Sequence, residues 1–193
     1  DVTPGNVMIT WDGHTKLADF GIAKARTSFD PASEQKMRIG KKHYMSPEQV
    51  LGSQVDGKSD VFSLGVVLYE LMALSPLFRE EETSLLVDEV AVHPLPNLKA
   101  RITDLDPALE AEMQAALQRS PSKRLCASQF AAQLDQWVAQ QADFATPDRL
   151  QMHLHQLFPS DYRARTREET SFGNFQSALK PRGSTSILKK LFG

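Results

Sequence analysis

The chain has 193 residues, of which 41% are hydrophobic and 24% charged, and its formal net charge at pH 7 is -2. This composition is typical of a soluble globular domain with an appendage, and the near-neutral charge argues against a general binder of nucleic acids or membrane surfaces. The single cysteine, Cys126, excludes an internal disulfide framework and any metal site built from several cysteines. We expect a cytoplasmic setting, no membrane segment in this chain and no nucleic-acid partner.

In chain order, the first predicted element is a β-hairpin. Val7-Met8-Ile9 and Lys16-Leu17-Ala18 read as short strands, and the Asp12-Gly13 pair between them predicts a tight turn. Residues 22–46 hold few periodic apolar residues and many Ser, Thr, Lys and Arg. A long loop of this kind inside a compact domain is usually functional or mobile.

The rest of the body is predicted to be helical. Apolar residues recur at helical spacing over residues 60–73, and their number predicts a helix that is buried nearly all round. Further helices are predicted at residues 82–90, 107–119 and 128–141. Asp106 is the expected N-cap of the second of these, because Pro107 follows it. The last has one apolar face: Phe130, Leu134, Trp137 and Val138.

The composition changes after residue 141. Residues 1–141 form the predicted body, and residues 142–193 form a C-terminal extension that is richer in basic residues. An apolar stripe predicts one amphipathic helix near residues 147–158. Beyond about Ser160 the sequence is polar and Arg-rich, which predicts disorder. A regulatory role and a simple linker stay open as explanations of the extension.

Three side chains with oxygen donors lie at the two ends of the predicted hairpin. Asp1 and Asn6 precede the first strand, and Asp19 follows the second. Antiparallel strands bring these ends together, so the three side chains can converge on one spot. Carboxylate and amide oxygens are the ligands that Mg²⁺ takes beside substrate phosphates. Asp and Asn are also common turn residues, so an ordinary pair of turns is the alternative on these residues alone.

Five motifs along the chain resemble those of protein kinases, in the family's order and spacing. They are Asp1-Val-Thr-Pro-Gly-Asn6, Asp19-Phe20-Gly21, Ser46-Pro47-Glu48, Asp60-Val-Phe-Ser-Leu-Gly65 and Pro121-Ser-Lys-Arg124. The residues in and around the third and fourth motifs are similar to those of bacterial, Hanks-type serine/threonine kinases in particular. The resemblance covers residues 1–141 and implies the C-terminal lobe of a kinase. Its fold would be mainly α (α+β), with one small hairpin and a helical bundle, without the N-lobe.

The resemblance also implies a role for each matching residue. Asp1 would accept the proton of the substrate hydroxyl, and Asn6 and Asp19 would hold Mg²⁺, or Mn²⁺, against the phosphates of ATP. Asp60 would hydrogen-bond the catalytic-loop backbone, although its position before an apolar run also suits a helix N-cap. Four further residues would support the site: Phe20, Gly21, Glu48 and Arg124.

Glu48 and Arg124 carry the sharpest structural expectation. The resemblance implies that they form a buried ion pair, which would tie the end of the activation segment to the loop before the last helix of the body. A planar guanidinium can bond both oxygens of a carboxylate. The alternative is an exposed pair that contributes little to stability.

Residues 22–45 correspond to the kinase activation loop. Thr27, Ser28 and Ser33 are its candidate phosphosites, since an added phosphate can pair with nearby Arg and Lys and order the loop. For any one of these hydroxyls, simple solvation is the alternative.

Two positions depart from the common kinase pattern. Most serine/threonine kinases carry Lys two residues after the catalytic Asp, where it steadies the transferred phosphate, whereas this chain has Thr3. Most also carry Thr after the glycine that aligns with Gly40, whereas this chain has Lys41. Both are explained by variation within the bacterial lineage or by reduced activity.

The sequence therefore predicts an ATP- and Mg²⁺-dependent serine/threonine kinase that acts on protein substrates. The N-lobe would be its partner within the same polypeptide. Because the Gly-rich loop and the ATP-binding Lys are absent from the sequence, the isolated chain is expected to be inactive. A pseudokinase that binds or scaffolds is the main alternative, and a generic helical interaction domain is the third.

Overall fold

The computed structural model describes residues 2–19, 41–79, 82–141 and 146–165. The chain divides into two compact units, one of residues 1–8 and 15–144 and the other of residues 9–14 and 145–193. The described part is mainly helical and contains a two-stranded sheet, which confirms the predicted fold class.

The sheet is the predicted hairpin. Strand β1 is Val7–Ile9 and strand β2 is Thr15–Leu17. Gly13 has a φ of 79°, in the left-handed region that glycine tolerates best, and its N–H donates to the carbonyl of Thr10 at 2.9 Å. Strand β2 lies one residue earlier than predicted. Ala18 is not part of it, because the N–H of Ala18 bonds to the carbonyl of Asn6, which precedes strand β1.

Helix α1 spans Pro47–Val50, and the long helix α2 spans Gly57–Ala73. The carboxylate of Asp56 caps α2 by accepting the N–H of Lys58 at 2.8 Å. The predicted start at residue 60 is therefore wrong, and so is the alternative that Asp60 is the N-cap. Asp60 lies inside the first turn, because the helix starts at Gly57, one residue after its cap.

Only part of the surface of α2 is buried. Phe62, Val66 and Tyr69 are fully buried, whereas Leu64 is 39% exposed and Leu71 is 68% exposed. The prediction of burial nearly all round is therefore wrong. Apolar residues on every face of a helix show that burial is possible, but they do not show which faces the neighbouring elements cover.

The remaining helices follow the predicted order. They are α3 (Thr83–Ala91), α4 (Pro107–Ala116), α5 (Ala127–Ala139) and α6 (Pro147–Leu157). Asp106 caps α4 as predicted, accepting the N–H groups of Ala108 and Leu109. On α5, Phe130 is buried, whereas Val138, on the same predicted apolar face, is 37% exposed.

The main core of the first unit forms around α2, α3 and α4. Gly65 lets α4 approach α2 closely, because a Cβ at this position would lie 3.1 Å from Leu117 Cδ2 and 3.2 Å from Ala116 Cβ. Each large side chain buried here contributes roughly 1.5–3 kcal/mol. The core comprises Phe62, Val66, Tyr69, Leu77, Phe78, Leu86, Val90, Leu98, Ile102, Leu105, Leu109, Met113 and Leu117.

The second unit joins the hairpin turn to the C-terminal extension. The ring centroid of Trp11 lies 6.4 Å from those of His155 and Phe158 and 6.1 Å from that of Tyr162. The predicted helix near residues 147–158 is confirmed as α6, but residues 159–165 are helical too. Disorder from Ser160 is therefore wrong for these residues, since Tyr162 packs on Trp11. Residues 166–193 lie outside the described part.

Within the residues that the structure describes, none of the helices combines the length and apolar character that crossing a bilayer requires.

Candidate active site

The two ends of the hairpin are joined by a backbone hydrogen bond. The N–H of Ala18 donates to the carbonyl of Asn6 at 2.8 Å, and the N–H of Asn6 donates to the carbonyl of Thr3 at 3.0 Å. Asn6 closes a short 3-10 turn, Pro4–Asn6, and is only 7% exposed. Asp19 directly follows Ala18, so the backbone brings Asn6 and the residue before Asp19 together.

Asp19 has an uncommon backbone conformation. Its φ is 55°, in the left-handed region that non-glycine residues seldom occupy. Residues held in such conformations cost on the order of 1–3 kcal/mol and cluster at functional sites. The carboxylate is half-exposed and lies 3.9 Å from the ammonium group of Lys41, measured from Oδ2 to Nζ. Asp19 is therefore accessible and already faces a cation.

The donors at the hairpin ends suit a hard cation. Asn6 offers an amide oxygen and Asp19 a carboxylate, and Mg²⁺ is bound by one or two carboxylates plus substrate phosphates rather than by a complete protein cage. In the described ranges, no group of three or more His, Cys, Asp or Glu side chains is arranged to hold a metal. A site of few protein ligands is what these residues can form.

Glu48 and Arg124 form the buried ion pair that the resemblance implies. Nη1 of Arg124 lies 2.7 Å from Glu48 Oε1, and Nη2 lies 3.0 Å from Glu48 Oε2. Glu48 is 5% exposed and Arg124 is 2% exposed. The pair is bidentate and buried, which is the strong form of this interaction.

The remaining N–H groups of Arg124 are satisfied as well. They donate to the backbone carbonyls of Lys58 at 2.8 Å, Gln118 at 2.8 Å and Arg119 at 3.1 Å. The guanidinium carbon also lies 5.0 Å from the centre of the Phe62 ring. Arg124 thus ties the segment that contains Glu48 to α2 and to the loop that follows α4.

The environment of Glu48 favours its charged form. Burial by itself raises the pKa of this carboxyl, but the hydrogen bonds from Arg124 and Ser59 outweigh burial and lower the pKa from 4.5 to about 2. The Ser59 hydroxyl donates to Oε1 at 2.5 Å. Glu48 is therefore ionised in the folded protein at any neutral or mildly acidic pH.

Polar residues on one face of α2 anchor the segment before α1. The Ser63 hydroxyl donates to the carbonyl of Tyr44 at 2.6 Å, and the Tyr44 hydroxyl donates to Glu70 Oε2 at 2.7 Å. Burial, and then the bond to Glu70, raises the pKa of Tyr44 well above its usual value of 10.0.

These anchors on α2 were not predicted from the sequence. The available signal was that Ser59, Ser63 and Glu70 are polar residues of a mostly apolar helix, spaced four and then seven residues apart, which places them on one face.

Asp60 and Val2 line the same cavity. The cavity has a volume of about 330 Å³ and is also lined by Val61 and Leu64 of the same unit. This location agrees with the expectation that Asp60 hydrogen-bonds the catalytic-loop backbone, which stays a prediction. Several predicted residues lie outside the described part of the chain: Asp1, Phe20, Gly21, Thr27, Ser28 and Ser33.

Comparison with known proteins establishes the class of protein. The model of the Protein kinase domain family matches residues 1–137. This match covers more than half of the chain, so the chain belongs to the protein kinase family.

Its relatives are bacterial serine/threonine kinases. Serine/threonine-protein kinase PknB of Mycolicibacterium smegmatis is 38% identical over 126 residues, which is 64% of this chain and 20% of that protein. PknB of Mycobacterium tuberculosis is 39% identical over the same shares of both chains. PknA of Corynebacterium glutamicum is 49% identical over 73 residues, or 38% of this chain and 15% of that protein. The chain spans about a fifth of the length of the PknB relatives it matches.

Proposed function

We propose that this chain is the C-terminal lobe of an ATP- and Mg²⁺-dependent serine/threonine protein kinase that acts on protein substrates. The polypeptide that carries both lobes is called the two-lobe protein below. The observation that carries the proposal is the bond from Ala18 to Asn6, which brings the two ends of the hairpin together where the family holds its metal. The relatives named above support the same activity.

The chemistry follows from what phosphoryl transfer requires. Asp1 would accept the proton of a substrate serine or threonine hydroxyl and orient its oxygen toward the γ-phosphorus of ATP. The bond between that oxygen and phosphorus forms as the bond from phosphorus to the β–γ bridging oxygen breaks, and the electron pair leaves with ADP. The protein contributes positioning and charge rather than covalent chemistry.

Asn6 and Asp19 would hold the metal, which neutralises charge on the phosphates when it is bound. The half-exposed carboxylate of Asp19 suits this role, because the ligand must reach a phosphate that enters from solvent. Burial of Asn6 fixes its amide with little freedom to rotate.

Transfer of labelled phosphate by the two-lobe protein tests the proposal. Asp1→Asn removes the proton acceptor and should lower kcat by roughly 10²–10⁴-fold. Asp12→Asn, an exposed residue of the hairpin turn, makes the same chemical change and should leave the rate unaltered. A rate in Asp1→Asn equal to that in Asp12→Asn would contradict the assignment.

A second candidate is a pseudokinase that serves as a binding or scaffolding module. The residues that favour it are Thr3 and Lys41, which replace the Lys and Thr that most kinases carry at these positions. Mg²⁺-dependent nucleotide binding without autophosphorylation of the two-lobe protein would select this candidate. Autophosphorylation that is lost in Asp1→Asn would reject it.

The remaining assignments belong to the same proposal. Residues 1–141 are the lobe and residues 142–193 an extension of it, in a cytoplasmic protein. Residues 22–45 are the activation loop, with phosphorylation at one or more of Thr27, Ser28 and Ser33. Phosphopeptide mapping of the two-lobe protein tests the last point, and phosphate confined to residues 142–193 would contradict it.

A further inference from the structure

The two departures from the kinase pattern are reciprocal. The position that usually holds Lys holds Thr3, and the position that usually holds Thr holds Lys41. The exchange keeps one ammonium group and one hydroxyl at these two positions of the chain.

The structure places the ammonium group of Lys41 at the site. Its Nζ lies 3.9 Å from Oδ2 of Asp19, and only a third of the Lys41 side chain is exposed. Thr3 is 6% exposed and uncharged, so the catalytic loop itself provides no cation at that position. The cation near the carboxylate of Asp19 therefore comes from the segment that precedes α1.

Lys41 is held there through Tyr44. The N–H of Tyr44 donates to the carbonyl of Lys41 at 3.2 Å, while the Tyr44 hydroxyl is bonded to Glu70 and its carbonyl to Ser63, both on α2. The backbone of Lys41 is therefore connected to the buried helix of the lobe. A group positioned in advance contributes more to a reaction than one that must be ordered during it.

The ion pair itself does not explain why a lysine stands at position 41. Its partners are 3.9 Å apart and half or one-third exposed, and exposed pairs of this kind add little to stability. The role of Lys41 is therefore better sought in the reaction than in the fold.

We propose that Lys41 supplies the ammonium group that most kinases carry at the position of Thr3. The transferred phosphoryl group would then be steadied by the activation loop (residues 22–45) rather than by the catalytic loop (residues 1–6). The proposal rests on the proposed kinase function. It makes Lys41 a catalytic residue that contacts the γ-phosphate, and it removes the reason to treat Thr3 as a sign of inactivity.

Exchanging the pair tests the proposal directly. In the two-lobe protein, Lys41→Thr should lower kcat by roughly 10²-fold, the loss typical of removing one positioned group that stabilises the transition state, with little change in KM for the protein substrate. The double variant Thr3→Lys with Lys41→Thr restores the usual arrangement and should recover at least part of the lost rate. Lys41→Arg keeps the charge and should retain more activity than Lys41→Thr.

A binding measurement separates contact with the γ-phosphate from a simple ion pair. Affinities for ATP and for ADP, both with Mg²⁺, are measured for each variant. Lys41→Thr should weaken ATP about tenfold more than ADP, the effect of one charge-assisted hydrogen bond, and Thr3→Lys should reverse that change. A residue that only neutralises Asp19 would alter both affinities alike.

Lys42→Thr is the matched control, because it removes the same charge from the neighbouring residue. Its rate and nucleotide affinities should stay within about twofold of the parent's, since the proposal gives Lys42 no contact with the transferred phosphate and no positioned charge is lost there. Thermal melting of every variant shows that each is folded. The proposal is overturned if Lys41→Thr matches Lys42→Thr in both measurements, or if the double variant is no better than Lys41→Thr. The proposed kinase function would be contradicted by a different result, a parent rate no higher than that of Asp1→Asn. In that case the ratio of ATP to ADP affinity alone tests whether Lys41 contacts the γ-phosphate.

Discussion

Two ion pairs of this lobe use the same chemistry in opposite surroundings. Arg124 and Glu48 are almost fully buried, lie 2.7 Å apart and share two hydrogen bonds. Lys41 and Asp19 are partly exposed and lie 3.9 Å apart. Removing one partner of a buried pair lowers stability strongly, because the other charge is left buried without a partner. Removing one partner of an exposed pair changes stability little.

The difference assigns the two pairs to different tasks. The first fixes α1 to α2 and to the loop after α4, so it holds three segments of the lobe together. The second leaves both charged groups able to change partners when a metal and a phosphate arrive. Burial and distance, rather than residue type, distinguish a structural pair from a reactive one.

The largest expected effect is on the buried pair. Arg124→Ala and Glu48→Ala each leave one buried charge without its partner, so each should lower the free energy of unfolding of this chain by about 3–5 kcal/mol. The double variant should lose much less than the sum of the single losses. Denaturant unfolding of the three variants measures this coupling.

The Lys99–Glu110 pair provides the control for that cycle. Its atoms are 2.9 Å apart, yet the side chain of Lys99 is 54% exposed. A cycle of Lys99→Ala and Glu110→Ala should give a coupling of about 0–1 kcal/mol. If the losses at Glu48 and Arg124 were additive, so that their coupling free energy was as small as that of the Lys99–Glu110 control, a buried pair would be contradicted.

The next effect is on the pH dependence of stability. The pKa of Glu48 is about 2 in the folded chain, against 4.5 for an ordinary glutamate. The folded state therefore binds fewer protons between these values, so the stabilisation is complete above about pH 5 and is lost as pH falls toward 2. It amounts to about 3 kcal/mol, since one pKa unit corresponds to about 1.4 kcal/mol. Denaturant unfolding between pH 3 and 7 should show a steeper acid loss in the parent than in Glu48→Gln, whereas parallel curves would refute the low pKa.

The smallest effect is on the exposed pair. Lys41→Thr should change the free energy of unfolding by no more than about 0–1 kcal/mol. Thermal and denaturant unfolding of Lys41→Thr and Lys42→Thr give the comparison. A loss at Lys41 as large as that at Arg124 would show that this lysine is structural, and the distinction between the two pairs would fail.

Much of the fold could be predicted because the signals were local. The Asp12-Gly13 turn, the Asp106 cap with Pro107 and the apolar spacing of α2 each act within a few residues, and the structure contains all three elements. Errors arose where a choice depended on distant neighbours. Asp56 and Asp60 are both capable N-caps, and which one caps α2 depends on the path of the chain from α1.

The site was predictable to the extent that motifs of the family fix it. The pairing of Glu48 with Arg124, 76 positions apart, followed from the resemblance, because no periodicity connects them. The bond from Tyr44 to Glu70 and the packing of Tyr162 on Trp11 were not foreseen. Both join residues of different segments, and sequence spacing carries no information about such contacts.

The central claim, that the hairpin ends form a metal and phosphate site, is tested most directly by ATP binding to the two-lobe protein with and without Mg²⁺. Asp19 and Asp104 share nearly the same backbone conformation, with φ of 55° and 56°, so Asp19→Asn and Asp104→Asn impose the same change in matched settings. We expect Asp19→Asn to abolish most of the Mg²⁺-dependent gain in ATP affinity and Asp104→Asn to keep it. Equal Mg²⁺ dependence in the two variants would contradict the site.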